Sequence, residues 1–570
     1  MKRIERLAAG AVLLMSAVSS ALAAPLMRGA SVHVCNAASR FTNLRDGPGA
    51  SRHAVVAQMP NGQRLRVENL EHTPDGHGYY RVTMLDAHGA ALRTGFVHDQ
   101  AVRPQCDLPS SRNDRIARLA AAIAADNPGL AASDIIAVNA AFDGTSIDLK
   151  HLPQLQDLSA LAAWKSLEFV DLTRSGVTDL APLSGLQSLK TLSLYETAVR
   201  DITPLSTLHA LETLNLHGTQ IVDVDALAEL QNLQTLYLST SRVRDIAALA
   251  KLSDLRVLTL SDTQVRDLTP LASLSSLRNL DLSSAGVRDT AFLRDKPLLK
   301  TLDLEGNAID DLSVIAGLPA LESAMLSTNP FTDIAPLAKA ATLRTLSLAN
   351  SQVVDYSPLA ALTGLTRLEL AGSRIVDLAP LAGLARLESL ALGATGVARI
   401  DAVAGMRSLR TLHLFDTQVG DLAPLAGLHH LERLSISSAP ADDLSPLAGH
   451  RSLRALSLRH SRAADFSMIA TLTALEELDL AGTSFTAMPT LASLRSLETL
   501  DLSKTPVADV SVLETLPRLR WLTMEETQVR DVAPLRSMTS LRTLRLAKSP
   551  VGNMAVLSDL VEAGLDIRTD

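Results

Sequence analysis

The chain is predicted to be an α/β solenoid, a parallel-sheet arc with short 3-10 or helical turns on its convex side, preceded by a small all-β barrel. Three observations carry this expectation. A leucine doublet returns every 22 residues from Val170-Asp171-Leu172 to Leu544-Arg545-Leu546, eighteen times without a change of spacing. Within most periods an Asp precedes a Leu/Ile-x-Pro-Leu segment, as in Asp179-Leu180-Ala181-Pro182-Leu183. Residues 31–107 lose the leucine period and gain Gly, His and β-alternation. A fixed short period is the mark of stacked turns, because one turn cannot bury its own apolar face and its neighbours can.

One turn, residues 211–232, shows how the pattern works. Leu214 and Leu216 alternate with Thr213, Asn215 and His217, so a short strand turns two side chains in and three out. Leu211, Ile221, Val224, Leu227 and Leu230 point inward from the connecting arc. Each such aliphatic side chain contributes roughly 1.5–3 kcal/mol when fully buried, which is what offsets the ordering entropy of an added turn. At the position of Thr219 the eighteen turns carry eight Thr (197, 219, 263, 395, 417, 483, 505 and 527), six Ser, Asn307, Asn329, Ala285 and Ala439. These hydroxyls are expected to bond backbone where the chain leaves the strand and to stitch adjacent turns together. At the position of Asp223 fifteen turns carry Asp, and only Arg399, Ala487 and Asn553 differ. An Asp ahead of a Pro-containing helical turn reads as a cap, which needs no metal or catalytic explanation.

The pattern L-x-x-L-x-x-L-x-L-x-x-[TS]-x-V-x-D-L-x-P-L-A-x-L resembles the short leucine-rich repeats of the bacterial internalin type, over residues 147–552 in about 18–19 turns of 22 residues. Thr and Ser mostly replace that family's asparagine ladder. The resemblance implies an arc whose open concave face binds a protein partner.

The N-terminus has its own logic. Met1-Lys2-Arg3-Ile4-Glu5-Arg6, an apolar run from Leu7 to Ser16, and Ala21-Leu22-Ala23 form a Sec-type signal peptide, residues 1–23. Cys35 and Cys106 bracket one segment and should pair in an oxidising compartment; a catalytic thiol is the alternative, without a general-base partner nearby in sequence. Between them, Gln63–Val67 and Tyr80–Met84 alternate, and turn clusters at 46–49, 60–62 and 75–76 separate strands. Asn43-Leu44-Arg45-Asp46-Gly47-Pro48-Gly49, Gly78-Tyr79-Tyr80-Arg81-Val82 and Gly95-Phe96-Val97 together resemble a bacterial SH3 domain over residues 31–107. That resemblance implies attachment to peptidoglycan or to an envelope protein, through a surface containing Tyr79, Tyr80 and Phe96. A folded spacer is the alternative. Residues 108–146 read as a helical linker and N-terminal cap, with Ile116, Leu119 and Ile123 on one stripe covering the first turn. Residues 553–570 read as the C-terminal cap, with a closing helix over 554–561.

Charge and composition exclude several classes. The net charge is −8, and removal of residues 1–23 takes away three basic residues and one acidic, leaving −10. No basic groove for nucleic acid is indicated, and 3% aromatic content speaks against base stacking. No phosphate loop, metal-ligand pair or nucleophile elbow is present in the sequence, so no cofactor or metal is expected. His72 and His77 sit in a loop with no converging ligand set, and no uninterrupted apolar stretch follows the leader that would span a membrane.

If the concave face binds, its outward positions carry the specificity. Most are Ser, Thr, Asp or Ala. The exceptions are Tyr195, His217 and Tyr237 on three successive turns, an acidic stretch of Asp281, Asp303 and Glu305, the pair His413 and Phe415, and Trp521. Aromatic anchors in a polar surround are the usual composition of a binding hot spot. The expected protein is therefore an exported, non-catalytic binding protein, periplasmic or secreted in a Gram-negative bacterium, of adhesin or virulence-factor type. The alternatives are a periplasmic envelope scaffold, a cell-wall hydrolase acting through the small domain, and a rigid spacer.

Overall fold

A computed structural model describes the chain as two compact units, residues 1–115 and 116–570. It describes the strand backbones at 31–34, 41–45, 55–60, 64–72, 78–85, 91–98 and 102–103, and residues 112–139 and 142–569, with side chains from 115 onward.

In the first unit the strands are β1 (Ser31–Val34), β2 (Phe41–Arg45), β3 (Val55–Pro60), β4 (Arg64–His72), β5 (Gly78–Leu85), β6 (Ala91–His98) and β7 (Val102–Arg103). They pair antiparallel in the order β3-β2-β6-β5-β4-β1-β7. Tyr79 and Tyr80 are consecutive on β5, and Phe96 on β6 stands opposite Arg81. Cys35, Cys106 and the leader lie outside the described residues.

Helix α1 (Arg112–Asp126) begins in the last residues of the first unit and continues into the second, where α2 (Ala132–Val138) follows. Ile116, Leu119 and Ile123 are buried, as the stripe predicts. Two asparagines fasten these helices to the first turns. Asn127 Nδ2 donates to the carbonyls of Ile123 (2.8 Å) and Asp157 (2.9 Å), and its Oδ1 accepts from the N–H of Gln156 and Asp157. Asn139 does the same between Ile135 and Asp148.

Twenty three-residue strands follow, from Ser146–Asp148 to Asp566–Arg568, each parallel to the next and in register by one 22-residue step, except the first and the last steps, which are 23. The first strand pairs only with its successor and the last only with its predecessor, so the stack is open at both ends. Every leucine of the doublet columns is buried, and one continuous core runs the length of the stack. Strands stack about 4.8 Å apart, whereas helical turns with their side chains take more room. The stack therefore curves with the sheet inside and the 3-10 turns outside. At the far end a 3-10 turn (Met554–Leu557) and α3 (Ser558–Glu562) replace the single closing helix expected over 554–561, and the chain then adds a final strand that sets Ile567 beside Leu544.

The two polar columns have separate tasks. All fifteen aspartates accept the N–H two residues on, at 2.7–2.9 Å, which is the first N–H of the 3-10 turn that follows; they do so from one residue before the N-cap position, which Leu180 holds in the turn after Asp179. At seven of them (201, 267, 311, 355, 443, 465 and 509) hydrogen bonds from the hydroxyl and N–H two residues on hold the carboxyl below its usual range. An acid held below its unfolded value contributes stability above that value and loses it as pH falls through it. Stability is therefore expected to fall below about pH 4. Urea midpoints at pH 7 and pH 3 should converge in a D267N/D355N/D443N/D509N variant, which keeps the cap acceptor and removes the titration.

The hydroxyl column corrects an expectation. Each of the eight threonines donates to the carbonyl three residues back in its own turn, at 2.5–3.0 Å. The expected stitching between turns by hydroxyls is seen only at the end of the column, where Ser549 Oγ lies 3.0 Å from Thr527 Oγ1, accepts the Thr527 N–H and donates to Met524 O at 2.6 Å. Asn307 and Asn329 also cross to the turn before, reaching Leu282 O (2.9 Å) and Leu304 O (2.8 Å) with Nδ2, while their Oδ1 atoms accept from Val287 and Ile309. Four serines in this column, 175, 241, 351 and 373, bury a hydroxyl with no partner among the described residues.

A third column escaped the sequence reading. Each turn leaves its strand through one left-handed residue, Gly218, Gly306, Gly372 and Gly482 in four turns and a non-glycine elsewhere, such as Arg174 (φ 54°) and Asp416 (φ 52°). The four aligned glycines were its signal. Two polar residues also occupy a leucine column of the core. Lys296 is fully enclosed, with Nζ donating to Ala272 O at 2.8 Å, and His450 is 2% exposed with neither ring nitrogen bonded among the described residues. Burial, then the neighbouring His429, hold the His450 imidazole below its usual value. The folded protein thus refuses a proton that the unfolded chain accepts, so this group loses stability as pH falls below about 6.5. His450→Leu should raise the thermal midpoint and remove that part of the loss between pH 7 and pH 5; the gain should be about 1 kcal/mol, the lower end for freeing a buried unpaired polar group.

Candidate functional site

The inner sheet face is built from three outward columns, set by the alternation of each short strand with its buried leucines. Near the N-terminal end, Tyr195 and His217 occupy the same column on adjacent turns and stack, with ring centroids 4.7 Å apart and planes 5° from parallel. Arg174 extends the ladder by one turn, its Cζ 5.7 Å from the Tyr195 centroid and its Nε 2.5 Å from Glu196 Oε2. Such a stacked cation is held in one orientation instead of sampling solvent. Tyr237 belongs to the neighbouring column, where it pairs in register with Asn215. The structure thus joins Tyr195 to His217 and adds Arg174, while Tyr237 stands diagonally beside them, half-buried, with no ring contact among the described residues.

Asp281 and Asp303 are register partners on adjacent strands, and Glu305 lies exposed two residues on. Asp281 accepts from the N–H and hydroxyl of Ser283, and Asp303 from the N–H of Glu305. Burial, with Asp281 and Glu305 adding to it, pushes the Asp303 carboxyl up. Among the described residues no group of three or more His, Cys, Asp or Glu is placed to hold a metal ion.

His413 and Phe415 leave one strand on the same face. Burial first, and then Arg433, hold the His413 imidazole low, while Glu369 opposes them. The Phe415 ring, 36% exposed, lies over Gly393 of the preceding turn, and any side chain at 393 would run into it. Gly393 is the one glycine among the residues aligned with Tyr195 and Phe415, and the ring sits where that missing side chain would be. Trp521 is 44% exposed beside Thr499 and Thr543, and five residues further along the same turn Glu526 lies between Lys504 (3.9 Å) and Lys548 (3.3 Å). The sequence reading also missed Phe169, exposed at the N-terminal edge, and a charge network between Phe415 and Trp521. In that network Arg433 reaches over one turn to Glu477 at 3.0 Å, and Arg459 bridges Asp479 (3.1 Å) and Asp501 (2.9 Å). These pairs leave the aromatic positions as the unspent part of the face.

An open parallel sheet, one strand per 22 residues, backed by 3-10 turns and a continuous leucine core, is a leucine-rich repeat arc. A leucine-rich repeat family model spanning two copies matches residues 209–251. In fold the chain is similar to an internalin, InlF, of Listeria monocytogenes, at 25% identity and a TM-score of 0.50, covering 58% of this chain and 98% of that one. It is also similar to a leucine-rich repeat protein of Leptospira interrogans (21% identity, TM-score 0.51, 66% of this chain and 94% of that one). The plant peptide hormone receptor RGFR1 in complex with RGF2 shares the fold at 17% identity and a TM-score of 0.50, covering 71% of this chain and 74% of that one. No curated protein matches the chain significantly. Among the described residues no helix is long and apolar enough to cross a membrane.

Proposed function

We propose that the chain is an exported, non-catalytic binding protein that grips a protein partner on the inner face of its repeat arc. Residues 31–107 form an SH3-like module that associates it with cell-wall or envelope material, and Cys35 pairs with Cys106. The observation that carries the reading is that large aromatic side chains stand uncovered on the sheet face: Phe415 is 36% and Trp521 44% exposed, and Tyr195 is stacked and held in place. Rigid aromatics with little rotamer entropy left to lose are what interface hot spots use. The likeness to InlF supports the internalin-type version of this role over an envelope scaffold.

Affinity capture tests it. Residues 24–570, immobilised, are offered bacterial envelope extract and host-cell surface proteins in parallel. The expected result is a protein captured from the host fraction by the native face and lost with a Y195A/F415A/W521A variant. Capture that the variant leaves intact contradicts the proposal, and capture from the envelope extract alone moves the role to a scaffold.

A further inference from the structure

Away from the sheet face, on the flank where each turn runs from its strand to its 3-10 segment, the stack opens into a groove of about 1330 Å³. Its rim carries Arg244, Arg266 and Arg288, one per turn on three successive turns, a run that this column shows nowhere else in the chain. Val265, Ala285 and Phe292 contribute to its apolar wall. Arg244 Nε donates to Gln264 at 2.8 Å, whereas Arg266 and Arg288 have no hydrogen bond or ion pair among the described residues. The two carboxylates of the lining, Asp267 and Asp289, are occupied in capping their own turns.

On this flank the N–H groups of Gln220, Arg242 and Gln264 donate in succession to the carbonyls of Val199, Ile221 and Val243 at 3.0–3.1 Å. The bond is absent at Gly286, whose N–H and whose expected acceptor, Val265 O, have no partner among the described residues, as it is absent at Ala198, Gln352, Arg374, Gly396, Arg462 and Ser484; it returns from Ala308 to Val287 at 2.9 Å. The same turn breaks the repeat pattern elsewhere: Ala285 replaces the column's hydroxyl, Phe292 stands where many turns have Pro, and the enclosed Lys296 replaces a core leucine. Local departures clustered in one turn mark a site that serves something other than stacking.

We propose that this groove binds an extended acidic peptide segment, independently of the inner face. Its carboxylates meet Arg266 and Arg288 through bidentate guanidinium contacts, its intervening apolar side chains enter the groove, and its backbone pairs with the free Gly286 N–H and Val265 C=O. The arginine rows are at least the strand spacing of about 4.8 Å apart, and alternate side chains of an extended peptide about 6.8 Å, so glutamates at i and i+2 meet neighbouring arginines.

Fluorescence anisotropy with a labelled eight-residue peptide alternating Glu with Val and Leu provides the test, with its Lys-for-Glu counterpart and a sulfated oligosaccharide as comparison probes. The acidic peptide should bind, weaken at least tenfold with R266E/R288E, weaken with salt, and be unaffected by Y195A/F415A. Both arginines are exposed, so the variant's unfolding midpoint should match the native one and show that the fold is intact. No binding of the acidic peptide, binding that R266E/R288E leaves unchanged, or binding of the sulfated oligosaccharide alone would each overturn the proposal.

Discussion

A Y195A/F415A variant is expected to bind the partner at least a hundredfold more weakly than the native protein, with its thermal midpoint changed by no more than a few degrees. Loss of a central aromatic anchor typically costs 2 kcal/mol or more, about thirtyfold, and two well-separated anchors add. Their separation is real here: they lie ten turns apart on the arc, without a shared contact. Surface-plasmon titration of the captured partner supplies the affinities, and differential scanning calorimetry the midpoints. Gly393→Val refines the result. It does not remove the Phe415 ring but displaces it from its seat, so affinity should fall nearly as far as with F415A. An affinity unchanged by G393V would mean that the ring's position carries no recognition.

The second large effect concerns the stack. Removing residues 345–366, one complete turn, joins Arg344 to Arg367 with every column restored, and the shortened chain should unfold in one cooperative transition near the native midpoint. Removing only 345–355 puts the Pro358 segment where a strand belongs and sets polar residues into the leucine columns. Repeat arrays gain stability from nearest-neighbour interfaces, so a missing turn removes one interface whereas a half-turn breaks the array in two. Circular dichroism melts distinguish the outcomes: the eleven-residue deletion should lose cooperativity or fail to fold.

Most of this architecture is legible in the sequence because it is repeated. The Leu214/Leu216 alternation states the strand, Asp223 states the cap, and the structure places both on every turn concerned. What the sequence hides is relation between turns. That Thr219 bonds inside its own turn while Asn329 and Ser549 reach the turn before is a matter of side-chain geometry, which composition does not display. Tyr237 looks continuous with Tyr195 and His217 by turn count, yet its register belongs to the adjacent column. Phe415 reads as a lone exposed aromatic until Gly393, 22 residues earlier, is found beneath it. Lys296 and His450 stand in plain sight in a leucine column, but only burial shows that they are enclosed and not turned to solvent.

Site-specific photocrosslinking tests the central claim most directly. A photoreactive phenylalanine analogue is placed at 415 on the inner sheet face and, in a second protein, at Val354, which is 70% exposed at the flank. Irradiation with the captured partner should give a covalent adduct from position 415 and none from 354. An adduct from 354 with none from 415 would contradict the assignment of binding to the inner face.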